Sequence, residues 1–109
     1  MKVAIIGSRN VKAPKAVFNQ MAAELPGNCT EIISCGAEGV DKLAEKFAKE
    51  NGIKFTEISA NTPQEKSEKL SEYADCLLAF WDTASKGTAI AISTFTKVSK
   101  HVKIICINK

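Results

Sequence analysis

The sequence predicts a three-layer α/β fold: five parallel strands in the order 3-2-1-4-5, with helices on both faces. Three observations predict it. Five short apolar runs recur along the chain, helical stretches fill each gap, and most of the runs are near-continuous rather than alternating. Near-continuous runs suit parallel strands buried on both faces. Alternation of strand and helix, with right-handed crossovers, then gives one sheet covered on both sides.

The first run, Val3–Ile6, is followed by a stripe at helical spacing, Pro14, Val17, Phe18, Met21, Ala22 and Leu25. Pro14 suits the first helical turn, and Pro26-Gly27 stops the helix. The second run, Glu31–Cys35, leads into Val40, Leu43, Ala44, Phe47 and Ala48, a second stripe closed by Asn51-Gly52. The third run, Lys54–Ile58, alternates and is more polar, which places it at a sheet edge. Thr62-Pro63-Gln64-Glu65 then reads as a capping box with proline at the first helical position. Few apolar residues follow it, chiefly Leu70, Tyr73 and Ala74, so this third helix is expected at the periphery. After the fourth run, Cys76–Trp81, a helix starts near Gly87-Thr88 and is expected to bury Ile92, Phe95 and Val98. Lys97, Lys100 and His101 read as cations at its C-terminus. Val102–Ile107 is the last strand. No repeat, low-complexity tract or linker interrupts residues 1–109, which read as a single Rossmann-like domain.

Composition narrows the function. With 109 residues the chain can build one core, and 45% hydrophobic with 25% charged residues is the balance of an ordinary globular protein. Net charge is +3, and Arg9 is the single arginine. The lysines alternate with glutamates in pairs such as Glu45–Lys49 and Glu65–Lys69, a solvated surface rather than a basic block, so no nucleic-acid partner is expected. The start, MKVAIIGS, reads as a strand rather than a leader, and no apolar run reaches membrane-spanning length. Cys29, Cys35, Cys76 and Cys106 form no CxxC pair, and the expectation is buried reduced thiols in the cytoplasm.

In a sheet of this order, ligands bind beyond the carboxyl ends of the strands, where the order reverses between strands 1 and 4. Three loops meet there: Gly7-Ser8-Arg9-Asn10, Cys35 to Asp41, and Trp81 to Thr88. Small residues just before a helix expose free N–H groups at the positive end of the dipole, which favours phosphate. Gly36 and Gly39 permit a tight turn whether or not anything binds. Asp41 either complements the helix dipole or accepts hydrogen bonds from a ribose or base. Ser85-Lys86-Gly87-Thr88 reads either as a capping turn or as a phosphate turn, and Trp81 as core or as a stacking face. There is no G-x-G-x-x-G after the first strand, no P-loop and no metal-ligand spacing, so no cofactor and no metal are expected. His101 reads as a helix cap. A phosphorylatable aspartate is missing after the third strand, which ends at Ser59, and that argues against a receiver domain.

VAIIGSRN, then IISCGAEGVDKLAEKFAKENGIK, then ADCLLAFWDTASKGTAIAI resembles the SLOG superfamily of Rossmann-like proteins over nearly the whole chain. The likeness is closest to its YspA/YpsA-related group. The cytokinin-activating LOG enzymes, the DNA-processing protein DprA and molybdenum cofactor carriers are more distant. The resemblance implies a nucleotide or nucleotide-derived ligand, with Gly7, Ser8 and Arg9 in the first loop and Gly36, Ala37, Gly39 and Asp41 in the second. Ser85, Lys86, Gly87 and Thr88 would face the phosphate, and the superfamily implies a homodimer. Cys35 stands where relatives carry a glycine, and the arginine-asparagine motif of YspA-like relatives is missing. LOG enzymes place a catalytic glutamate three residues beyond the glycine-threonine pair, a position held here by Ala91. The leading expectation is therefore a binding or sensing module. The alternatives are a hydrolase or transferase using Asp41, Asp82 or Glu38, and a DNA-associated accessory protein of DprA type.

Overall fold

A computed structural model describes residues 1–108. Its elements run β1 (Lys2–Gly7), α1 (Pro14–Glu24), β2 (Glu31–Ser34), α2 (Val40–Glu50), β3 (Lys54–Glu57), α3 (Pro63–Tyr73), β4 (Cys76–Trp81), α4 (Lys86–Lys97) and β5 (His101–Cys106). The five strands form one parallel sheet in the order β3-β2-β1-β4-β5. The predicted fold class is the observed one.

Two cores sit on opposite faces of the sheet. On one, α1 and α2 cover Val3, Ile5, Ile32, Leu78 and Phe80; on the other, α3 and α4 cover Ala4, Ile6, Ile33, Leu77 and Ala79. The central strands need apolar residues at consecutive positions because both faces are dry. Thr62 caps α3 as the box predicts, its hydroxyl accepting the Glu65 N–H at 3.1 Å.

Several expectations need correction. The polar α3 is not peripheral: Leu70 and Ala74 are fully buried, together with Ser67 and Ser71, because α4 packs beside it over the sheet. Val98 lies exposed beyond the end of α4, and His101 opens β5 instead of capping a helix. Lys100 reaches the end of a different helix, donating to the Ser71 and Ala74 (2.8 Å) carbonyls of α3. The last strand is also not covered on both faces. It is the second edge of the sheet, so Ile105 points into the α1/α2 core while Ile104 and Cys106 stay exposed.

That exposure changes the reading of the thiols. All four cysteines are free, Cys76 buried, Cys29 and Cys35 half-buried and Cys106 exposed. An alkylating reagent applied to the native protein should label Cys106 first and Cys76 only on unfolding, as read by intact mass. Equal labelling of the two under native conditions would contradict this packing.

Candidate functional site

β1, β2 and β4 all end at the same edge of the sheet, and a cavity of about 340 Å³ opens there. The β1 end contributes Ile6, Gly7 and Arg9; the β2–α2 turn contributes Cys35, Ala37 and Asp41. The α4 start contributes Ser85, Lys86, Gly87 and Thr88. The fourth wall is α3, through Pro63, Lys66, Ser67 and Leu70. Those four lie at i, i+3, i+4 and i+7, one face of a helix, and sequence reasoning did not assign them to the site. The capping box located the helix, but only packing against α4 shows which face turns toward the crevice.

Of the twelve sequence-predicted residues, Gly7, Arg9, Ala37, Asp41, Ser85, Lys86, Gly87 and Thr88 line the cavity, whereas Ser8, Gly36, Gly39 and Trp81 do not. Those four hold the loops. Ser8 is fully buried, and its hydroxyl accepts the Asp82 N–H at 2.9 Å, tying the β1 loop to the β4 loop. The Trp81 indole N–H donates to the Ser85 carbonyl at 2.9 Å, so the ring braces the turn before α4. Asp82 accepts the N–H groups of Ala84 and Ser85, both at 2.9 Å. These bonds hold its carboxyl below the usual range. They also hold Thr83 at φ 69°, a left-handed conformation that is an outlier for a β-branched residue. Glu38 is exposed and outside the cavity lining.

The two helix starts facing the crevice differ. At α2, the first helical N–H, that of Val40, donates to the Ser8 carbonyl at 3.1 Å, and Gly39 packs directly under the carbonyls of Ser8 and Arg9. That end is stoppered by the chain itself. At α4, Ser85 makes no capping bond to the backbone, and its hydroxyl pairs instead with that of Thr88 at 3.2 Å. A Cβ at Gly87 would meet open space. The α4 start is the accessible one for an anion.

Asp41 is buried, only 3% exposed, within the first turn of α2. Its carboxylate accepts the Cys35 N–H at 3.3 Å, closing the turn from below. Burial raises its pKa from 3.8 to about 6; the Ser34 hydroxyl and the N–H groups of Cys35, Ala37 and Gly7 offset only part of that cost. The Ser34 hydroxyl is itself buried without a hydrogen bond of good geometry. Cys35 is pushed up to about 11, by burial and then by the Asp41 charge, so its sulfur is a thiol at neutral pH and a poor nucleophile. Ala91 is fully buried in the α3/α4 core, a packing position rather than a chemical one.

A raised carboxyl pKa has a definite sign in stability. Below pH 3.8 both states are protonated; between 3.8 and about 6 the unfolded chain ionises first, so stability falls as pH rises and stays reduced above 6. The penalty above pH 6 is roughly 3 kcal/mol at the full shift. Asp41→Asn removes this titration. Urea unfolding of both proteins should show the stability of the variant, relative to wild type, rising by roughly 1–3 kcal/mol from pH 4 to pH 7.5. A pH-independent difference would mean that Asp41 titrates normally.

The family described as DNA recombination-mediator protein A matches residues 1–79, which include β1 to α3 and most of β4. No curated protein matches the chain. Among solved structures, the X-ray structure of TM1055, a structural-genomics target, superposes with a TM-score of 0.67 over 93% of this chain and 71% of that one. At 17% identity this likeness concerns the fold.

Proposed function

Since the chain belongs to the DNA recombination-mediator protein A family, within the SLOG superfamily of Rossmann-like proteins, we propose that it binds a nucleotide or nucleotide-derived anion at the crevice. Residues 1–109 act in this reading as one ligand-binding domain, nearest in kind to the YspA/YpsA-related group. The observation that carries it is the pairing of the open α4 start with cavity-lining cations Arg9, Lys66 and Lys86. Among the described residues none of the three has a carboxylate within 4 Å, although Lys69, on the same helix as Lys66, pairs with Glu65 at 3.4 Å. Cations left unpaired around a concave site favour an anionic ligand. The volume lies at the small end of the ~300–1,000 Å³ usual for such sites, which suits a mononucleotide better than a dinucleotide.

Thermal-shift screening of nucleotides, followed by titration and product analysis of any hit, tests this. Saturable binding without turnover supports the module; no stabilisation by any nucleotide counts against it. One observation favours the enzyme alternative. A buried carboxyl with a pKa of about 6 in the cavity wall is suited to acid–base work, so turnover abolished in Asp41→Asn would select a hydrolase or transferase. The family description, which names DNA recombination, favours the accessory-protein alternative and runs against the expectation of no nucleic-acid partner. Salt-sensitive retention of DNA, without nucleotide binding, would select it.

A further inference from the structure

The cations of the cavity are spread along it rather than gathered at the α4 start. Along the sheet edge the cavity runs from the β2–α2 turn, past Gly7 and Arg9, to Ser85–Thr88. Lys86 stands at the α4 end. Lys66, from α3, is close enough to Cys35 at the β2 end for its charge to favour the Cys35 thiolate. β2 and β4 flank β1 on opposite sides, so these ends are two strand spacings apart, about 10 Å. One phosphate group at the α4 start would engage the free helix amides and Lys86, with Arg9 within reach on the neighbouring loop. It would leave Lys66 unmatched. Two carboxylates lie nearby, Asp41, buried at the β2–α2 turn where it accepts the Cys35 N–H, and Glu57, beside Gly36, and neither comes within 4 Å of the Lys66 ammonium. Lys66 is half-buried, faces a concave site and has no carboxylate within 4 Å among the described residues, which favours an anionic group there.

We propose that Lys66 is a specificity-determining residue, and that the site takes a nucleotide bearing a second anionic group at the end remote from the phosphate on α4. This rests on the nucleotide reading of the cavity and adds a ligand class to it. The neighbours of Lys66 in the cavity lining fit such a ligand: Leu70 and Ile6 add apolar surface, and Ser67 a hydroxyl.

The test is isothermal titration of wild type and Lys66→Gln with the 5′-monophosphate and the 3′,5′-bisphosphate of adenosine and of guanosine, at fixed salt. Lys66 lies on the surface of α3 without a hydrogen-bonding role in the fold, so the variant should fold; circular dichroism checks it. Wild type is expected to prefer one bisphosphate over its monophosphate by about tenfold or more. In Lys66→Gln that ratio should fall to near one. Equal affinities in wild type, or a preference that survives in Lys66→Gln, overturns the assignment of Lys66 and leaves the nucleotide site standing. If wild type binds none of the four nucleotides, the nucleotide reading falls and this one with it.

Discussion

Gly87→Asp is expected to fold normally and to lose anion binding at the crevice by a hundredfold or more, on the order of several kcal/mol. The glycine lies in the first turn of α4, has no left-handed backbone, and would direct a Cβ into open space. The added carboxylate therefore meets no steric obstacle. At a helix N-terminus it contributes a few tenths to about 1 kcal/mol of favourable dipole interaction. The same charge would occupy the region where the free amides of α4, Lys86 and Arg9 are expected to hold a phosphate. Fold and ligand thus respond in opposite directions. Thermal unfolding without ligand should be unchanged or slightly raised, while titration with the best nucleotide hit shows the loss. A folded variant that binds as wild type does would place the ligand elsewhere.

Gly39→Ala is expected to have the opposite signature, a large loss of stability on the order of 3–5 kcal/mol. Gly39 has φ 80° and ψ −125°, a region essentially closed to residues with a Cβ. A methyl group there would also press into the carbonyl oxygens of Ser8 and Arg9, backbone atoms that cannot swing aside. Relief would require moving the β1 loop away from α2, breaking the bond from the Val40 N–H to Ser8 and the Ser8–Asp82 tie behind it. Gly52→Ala separates strain from crowding. Gly52 has φ 66°, but a Cβ would meet nothing, so only the conformational cost of about 1 kcal/mol applies. Urea unfolding of the two variants should differ severalfold in the destabilisation they show. Similar small losses would mean that the β1 loop yields easily and that α2 is not held by it.

Much of the fold was legible because periodicity reports burial. Val3–Ile6 and Cys76–Trp81 are apolar at consecutive positions, a pattern that suits a strand with helices on both faces. Capping chemistry is equally local, and Thr62–Glu65 marked the start of α3 correctly. Errors came where a pattern had two meanings. Val102–Ile107 has the composition of a buried strand, yet it lies at an edge where nothing covers Ile104 and Cys106. Lys100 follows α4 in sequence but serves the end of α3, because a long side chain pairs with whatever carbonyls the packing brings near.

Residue type and spacing by themselves determined the five strands and the loops that follow them, through local hydrophobicity and turn chemistry. Right-handed crossovers allow more than one strand order, and the pairing in the sheet selects β3-β2-β1-β4-β5, as expected for a Rossmann-like domain. Tertiary structure decided what those loops do. Gly39 and Ser8 were spent on packing, Trp81 on bracing a turn, and the α2 start on the Ser8 carbonyl, which left the α4 start open. It also brought α3 across the crevice and set Lys66 against it, and it buried Asp41 deeply enough to move its pKa to about 6. Such outcomes depend on long-range proximity and on the loss of water, and neither is encoded in the spacing of neighbours along a chain.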